Sequence, residues 1–576
     1  MRHGTHGPYS TPPPSAPTLN ENVDKEALEL GRNRLLAIAG VFAVACLVLA
    51  GRLIEVSVLQ GAPTNAGVAT ADAPVARADI VDRNGVILAT SLRSASLYAN
   101  PRRLIDPAAA AAEIAAVLPD LGRGAILEKL SSDRSFVWLK RNLTPKQQYA
   151  INRLGIPGIG FVAEQRRVYP QGALTAHAVG FTGVDNRGLA GIEKSFDAVL
   201  SPAAPARAAP LRLSLDVSVQ NALHDELSAA VAEFGALGAA GVVLNVHTGE
   251  VLALVSLPEF DPNRLADASA DALFNRASLG VYEMGSTFKT FTMAMALDLG
   301  TIDIGGGYDA TEPLRVARFV IHDDHPKRRW LSVPEIFIYS SNIGAAKMAR
   351  DVGGAQQKAF LDRLGLLQRA GLEIPEIGRP MWPEPWREIN TMTIAFGHGI
   401  AVSPVQLASG VAAIVNGGLV APATLMRHQA GEPMAGRRVI AAETSAVMRR
   451  LLRAVVTRGT GGKADVPGYA VGGKTGTARK VGDGGYRRGA LISSFVGVFP
   501  IAAPRYVALA ILDEPQGNES TMGFASGGWT AAPVVGRVIA RIAPMLGVSP
   551  QEEGVGDERD VLLVEAAGGG EPNASF

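Results

Sequence analysis

Residues 35–51, LLAIAGVFAVACLVLAG, run without a charged or strongly polar side chain. A spanning helix needs about 20 mostly apolar residues, with about 17 as the lower limit. RLIEVSVL extends the run past Arg52, whose long side chain can reach an interface. The pattern predicts one N-terminal transmembrane helix over 35–59. A cleaved signal peptide has a shorter apolar region and a nearby small-residue site, and AVAC (43–46) resembles a lipoprotein site only weakly because the apolar run continues beyond it. Lys25, Arg32 and Arg34 precede the run and only Arg52 follows closely. The basic flank stays inside, so residues 1–34 are expected to form a mostly disordered cytoplasmic tail and everything after about residue 60 to be exported.

Beyond the anchor the pattern changes twice. Residues 60–75 are small and polar, a tether, and residues 76–205 mix short strand-like runs (DIVDRNGVILATS, ASLYANP) with an Ala-rich helical stretch near 108–117, an α+β arrangement. SPAAPARAAP (201–210) is a proline-punctuated linker. A second domain is expected over 206–546. It opens with a helix in NALHDELSAAVAEFG and two strands around a His-Thr-Gly turn in AAGVVLNVHTGEVLALVSL. Helical patterns dominate from 286 to 460, strands return in LISSFVGVFP and YVALAILDE, and APVVGRVIARIAPML reads as a closing helix. Strands early and late with helices between predict a sheet assembled from both ends of the domain and covered by helices. Residues 547–576 are Gly- and acid-rich and read as a disordered tail.

Length and composition narrow the picture. The 576 residues exceed one compact core. A formal net charge of +1 gives no reason to expect a nucleic-acid partner. The single cysteine, Cys46, excludes an intrachain disulfide and a cysteine-based zinc cluster, and reads as a small apolar residue of the anchor.

Candidate chemistry begins with VYEMGSTFKTFTMAMALDL (281–299). Ser286 and Lys289 are three residues apart, so on a helix they share a face and the amine can reach the hydroxyl. A serine needs a base to become a nucleophile, a lysine of depressed pKa can be that base, and the unpaired amides of a helix N-terminus can hold an oxyanion. Alone, S-x-x-K is a chance pattern, equally a helix cap followed by a surface lysine. Here it is followed by Ser340-Ser341-Asn342 at the start of another helical pattern, and then by Lys474-Thr475-Gly476-Thr477. That ordered trio is the signature of penicillin-binding proteins and class A β-lactamases.

On these residues, and on RADIVDRNGVILATSL, GLAGIEKSFDAVL, FGHGIAVSPVQLA and GGWTAAPVVGRVI, the chain resembles the class B penicillin-binding proteins over roughly residues 30–545. FGHG followed by SPVQLA is similar to the division-specific D,D-transpeptidases of that class rather than to the elongation type, which tends to carry GQG. Met284 and Ala78 depart from the Pro and Gly common in relatives. The resemblance implies a pedestal (dimerisation-like) domain over 60–205 and a penicillin-binding/β-lactamase-like transpeptidase domain, an antiparallel sheet flanked by helices. It implies that Ser286 attacks the penultimate D-alanine of a peptidoglycan stem peptide, that Lys289 takes its proton and that Ser340 relays protons. It assigns Asn342, Lys474, Thr475, Gly476 and Thr477 to substrate binding, with Lys474 supplying positive charge that helps keep Lys289 neutral and the amides of Ser286 and Thr477 forming the oxyanion hole. It implies septal crosslinking without cofactor or metal, acylation by β-lactams, a membrane glycosyltransferase of the SEDS type and other division proteins as partners, and an inner-membrane location with a periplasmic catalytic domain. An elongation-type enzyme, a catalytically idle scaffold and a β-lactam sensor or hydrolase are the alternatives.

One competing motif needs an answer. GYAVGGKT (468–475) fits the phosphate-loop pattern G-x-x-x-x-G-K-[ST]. A phosphate loop joins a buried strand to a helix whose N-terminus faces the phosphates. The preceding RGTGGKADVP is too glycine-rich for such a strand, and GTARKVGDGGYRRG after it has no helical periodicity. Lys474 is therefore expected on a strand followed by a hairpin-like loop, which is no ATPase site. IHDDHP (321–326) reads as a polar loop rather than a metal site, His398 as a structural residue, and Met293 and Met295 as core filling.

Overall fold

The computed structural model describes residues 36–50, 76–201, 209–316, 319–428, 436–482 and 485–550. The expected tail 1–34, residues 35 and 51–59 of the expected anchor, most of the proline-rich linker and the end of the C-terminal tail lie outside the described residues. Residues 36–50 are helical with exposed apolar side chains and belong to a unit of their own, Met1–Ala73. Among the described residues no helix is long and apolar enough to cross a membrane.

The remaining chain, Pro74–Phe576, is one compact unit with two five-stranded sheets. In the first, β1 (Ile80–Val81), β3 (Val137–Leu143) and β4 (Ile159–Val168) pair antiparallel with the long β2 (Ile87–Ala99), and β5 (Leu211–Arg212) joins β1 in parallel. The alanine-rich stretch forms α1 (Pro107–Val117), whose first amides are taken by the Asp106 carboxylate at 2.9 and 3.0 Å, with Pro107 in the first turn. Beside this sheet the buried Glu193 accepts from Arg77 at 2.7 Å and Arg167 at 2.6 Å, so the charges are compensated where water is absent.

The second sheet positions the site. Its strands are β6 (Gly238–Asn245), β7 (Val251–Leu257), β8 (Gly472–Gly482), β9 (Gly485–Phe499) and β10 (Tyr506–Asp513), in the order β8-β9-β10-β6-β7 and antiparallel throughout. Both ends of the region from 206 to 546 thus supply it, as the pattern of strands predicts. β6, β7 and β10 are buried on both faces, which is why they read as near-continuous apolar runs. Alternate residues face opposite cores: Val507, Leu509 and Ile511 join one cluster, Ala508, Ala510 and Leu512 the other.

Helices α2 (Val217–Phe234) and the C-terminal Ala531–Met545 cover the second of these faces. The opposite face carries α3 (Lys289–Asp298), α4 (Asn342–Val352), α5 (Pro404–Val415) and α6 (Ala442–Arg458). α5 is apolar all round and buried throughout except Ser409, the expected behaviour of a central helix. It is started by a capping box, with Ser403 Oγ accepting from Gln406 N at 3.3 Å and Gln406 returning a bond to the Ser403 amide at 3.0 Å. Met293 and Met295 fill the core between these helices. β8 is the edge strand, and the phosphate-loop look-alike runs from the turn before it into its first four residues: Lys474 pairs with Val496 of β9, and a second strand follows where a phosphate loop needs a helix.

Candidate active site

The edge strand, the start of α3 and the start of α4 meet at one cleft. Ser286 does not lie in α3 itself. It sits in a single 3₁₀ turn, Gly285–Phe288, directly before it. A 3₁₀ turn has 3.0 residues per turn, so side chains at i and i+3 eclipse. Ser286 Oγ and Lys289 Nζ are accordingly 3.0 Å apart. Gly285 makes that turn possible: its φ is +55°, and a Cβ there would lie 2.4 Å from Thr477 O.

Lys289 Nζ also contacts Ser340 O, Ser340 Oγ at 3.1 Å and Asn342 Oδ1 at 2.7 Å. The second motif is bent to do this. Ser340 adopts φ +61°, unusual for a residue with a Cβ, and this turns its carbonyl to the amine. Ser341 caps α4 through Gly344 N at 3.0 Å, and Asn342 Nδ2 donates to His322 O at 2.9 Å, which leaves Oδ1 for Lys289. On the far side Lys474 Nζ is 3.0 Å from Ser340 Oγ. Ser286, Lys289, Ser340, Asn342 and Lys474 therefore form one connected network, joined through Lys289 and Ser340.

The contacts of Lys289 accommodate the neutral amine that a base requires. A neutral amine has two N–H donors and one lone pair. In that state Asn342 Oδ1 and the Ser340 carbonyl can take the two donors, and the lone pair can face the hydroxyls of Ser286 and Ser340, which lie 3.0 and 3.1 Å from Nζ. Burial lowers the Lys289 pKa to about 7, against the pull of Asp323 and Asp324. The sequence reading gave Lys474 the part of keeping Lys289 neutral by its charge; in the structure burial is the principal cause. Lys474 is itself fully buried, and burial, with Lys289 next to it, pushes its pKa well below the ordinary value.

The remaining residues of the third motif line the same edge. A Cβ on Gly476 would lie 2.4 Å from Met284 O, so only glycine lets the strand approach the turn that carries Ser286. Thr475 Oγ1 is 2.7 Å from Thr460 Oγ1. Thr477 Oγ1 accepts from Gly527 N at 3.1 Å, and its own O–H remains to donate to an anionic group in the cleft.

Sequence reasoning missed Asp323. It lies in IHDDHP, read above as a polar loop, and the loop has a specific task. The Asp323 carboxylate accepts from Ser341 Oγ at 2.8 and 3.0 Å, Asn342 N at 2.6 Å and Ile343 N at 2.9 Å. It thus holds the first turn of α4 and the strained Ser340 before it. Among the described residues no group of His, Cys, Asp and Glu could hold a metal ion. Asp323→Asn keeps the size but loses the charge and one acceptor, so β-lactam acylation is expected to slow about tenfold. Because the Asp323 charge raises the Lys289 pKa, its loss moves the acid limb of the pH–rate profile to lower pH. Acylation rates measured from pH 5 to 9 check both. His398 lies one residue beyond Gly397, whose carbonyl accepts from Gly285 N at 3.3 Å, and burial holds its imidazole pKa down.

A partly exposed serine, a buried lysine amine beside it and a bridging hydroxyl define a class of acyl-transfer site, and comparison with known proteins agrees. Residues 239–539 match the penicillin-binding protein transpeptidase domain, and residues 72–207 the penicillin-binding protein dimerisation domain. Over 488 residues the chain is 43% identical to a probable peptidoglycan D,D-transpeptidase FtsI of Caulobacter vibrioides, covering 83% of this chain and 82% of that one. It is 29% identical to the peptidoglycan D,D-transpeptidase FtsI of Escherichia coli K12 over 86% of this chain and 88% of that one. The crystal structure of penicillin-binding protein 3 from Mycobacterium tuberculosis, complexed with aztreonam, superposes with a TM-score of 0.65 at 25% identity, over 83% of this chain and 98% of that one. The transpeptidase domain of Burkholderia pseudomallei penicillin-binding protein 3 gives 0.53 at 33% identity, over 60% of this chain and 99% of that one. The chain belongs to the penicillin-binding protein transpeptidases, as a class B member of the FtsI type.

Proposed function

We propose that the protein is a serine D,D-transpeptidase that crosslinks peptidoglycan stem peptides of the septal wall and is acylated by β-lactams. The observation that carries this reading is the 3.0 Å approach of a buried lysine amine to Ser286 Oγ, with Ser340 and Asn342 on the same amine. Ser286 Oγ attacks the carbonyl carbon of the penultimate D-alanine while Lys289 Nζ takes the hydroxyl proton. The oxyanion is held by the amides of Ser286 and Thr477, which lie on two backbones in contact. The tetrahedral intermediate breaks its bond to the terminal D-alanine, whose nitrogen takes the proton by way of Ser340 and Lys474. An acceptor amine then attacks the Ser286 ester, loses its proton to the same lysine, and leaves as the crosslinked amide with the serine restored. Asn342 orients the donor backbone, and Thr475, Gly476 and Thr477 line the strand that receives the donor's terminal carboxylate.

In the same reading residues 35–59 anchor the chain once in the cytoplasmic membrane, with 1–34 in the cytoplasm and the catalytic part in the periplasm. The apolar run and its basic flank support this. Residues 60–205 act as a pedestal, 206–546 as the catalytic domain, and the anchor and pedestal face a SEDS-type glycosyltransferase and other division proteins. An elongation role is the alternative within the class. The test uses the full chain in detergent with a pentapeptide-bearing peptidoglycan substrate. Release of D-alanine in step with crosslinked product is expected. Penicillin labelling without either product would leave a scaffold, and steady turnover of β-lactam would leave a hydrolase.

A further inference from the structure

The oxyanion hole proposed above takes one amide from each of two segments, Ser286 from the turn before α3 and Thr477 from β8. The turn is well fixed on one side. Tyr282 exchanges backbone bonds with Val402 at 2.9 and 3.0 Å, and Gly285 N donates to Gly397 O at 3.3 Å. On the β8 side the backbones approach at glycines: a Cβ on Gly285 or on Gly476 would lie 2.4 Å from the opposing carbonyl oxygen, and the Thr287 methyl packs beside Gly476. Glycine-to-backbone contact sets a minimum separation but resists little when the segments part or slide.

A side-chain tie crosses that seam further out. Tyr486, on β9 opposite Val481, donates its Oη–H to Glu283, at 3.0 Å from Oε2 and 3.2 Å from Oε1. Glu283 Oε1 also accepts from Gly399 N at 2.8 Å. The Tyr486 ring packs edge-on to His398 at 5.9 Å. Among the described residues, the Tyr486–Glu283 bonds are the direct hydrogen bonds between segment 282–289 and the β8–β9 pair. Glu283 is three residues before the nucleophile, so a shift at the tie is passed to Ser286 through about 11 Å of backbone at most. Burial raises the Glu283 carboxyl pKa, and the Gly399 amide and Tyr486 hydroxyl work against that rise and favour the carboxylate.

We propose that Glu283 and Tyr486 are positioning residues that clamp the β8–β9 hairpin to the nucleophile's turn and thereby set the spacing of the two oxyanion-hole amides. This rests on the transpeptidase reading. The clamp touches no reacting atom. Its loss leaves the initial docking of a β-lactam unchanged and slows the covalent step, because a misplaced amide is felt only once the oxyanion forms.

The test is stopped-flow acylation of the full chain in detergent by a chromogenic cephalosporin, which separates the dissociation constant of the initial complex from the limiting acylation rate. Tyr486→Phe, which removes only the hydroxyl, is expected to lower the limiting rate about tenfold while the dissociation constant stays within about twofold. Glu283→Gln is expected to act in the same direction. The double variant is expected to be no slower than the slower single one, since both remove one interaction. An unchanged limiting rate in Tyr486→Phe overturns the proposal. So do rate losses that multiply in the double variant, and so does a weakened initial complex with a lowered thermal midpoint, which would mean general loosening. If the wild type itself forms no acyl-enzyme, the transpeptidase reading falls and the clamp with it. That result is distinguishable, because failure of the clamp alone leaves wild-type acylation intact.

Discussion

Ser286→Ala abolishes covalent labelling by a fluorescent penicillin while the protein stays folded. The oxygen that forms the ester is gone, and the neighbouring serines cannot substitute. Ser340 Oγ is shared between two lysine amines, and Ser341 Oγ is turned away to Asp323. Stability is expected to change by less than about 1 kcal/mol. Ser286 is partly exposed, caps no helix, and its loss leaves Lys289 three other partners. The check is a labelling gel read beside a thermal melt. Residual labelling would assign the ester to another residue, and a collapsed melt would mean the serine is structural.

The second large effect is at Lys289. Lys289→Met keeps the unbranched volume in a site where the lysine is 2% exposed, but removes the base. General-base catalysis is worth about 10² to 10⁴ in rate, and acylation is expected to fall within that range. The Ser340 carbonyl and Asn342 Oδ1 lose a donor, so stability falls too, by about 1–3 kcal/mol. The wild type carries the matching pH signature. The base acts only when neutral, and its pKa is about 7, so acylation of the free enzyme is expected to rise with pH through that value and then level. An ordinary lysine would put the rise near pH 10. A profile flat from pH 5 to 9 would mean that Lys289 is not the base.

The parts of this account that were legible in the sequence rest on short-range regularities. The apolar runs of β6, β7 and β10 mark strands buried on both faces, and the three-residue spacing of Ser286 and Lys289 marks a shared helical face. Gly-rich flanks and absent periodicity were enough to place Lys474 on a strand instead of in a phosphate loop. What the sequence hid depends on contacts between distant segments. Asp323 looks like part of an acidic, histidine-bearing loop until its bonds to Ser341, Asn342 and Ile343 are seen. The left-handed backbone of Ser340 has no signal either, since no glycine or asparagine marks it. The two-residue β5 joins the first sheet through a parallel pairing too short to leave a pattern. The Tyr486–Glu283 tie spans two segments that sequence reasoning treated separately. Even the source of Lys289's neutrality was out of reach, because burial is a property of the assembled core and a neighbouring cation is easier to name.

The central claim is that these distant segments build one serine acylation site. Intact-protein mass spectrometry of the wild type after brief exposure to a β-lactam, followed by peptide mapping, tests it most directly. The account predicts a single adduct of one β-lactam mass, on the peptide carrying Ser286. An adduct on the Ser340 or Lys474 peptide, or no adduct at all, would contradict it.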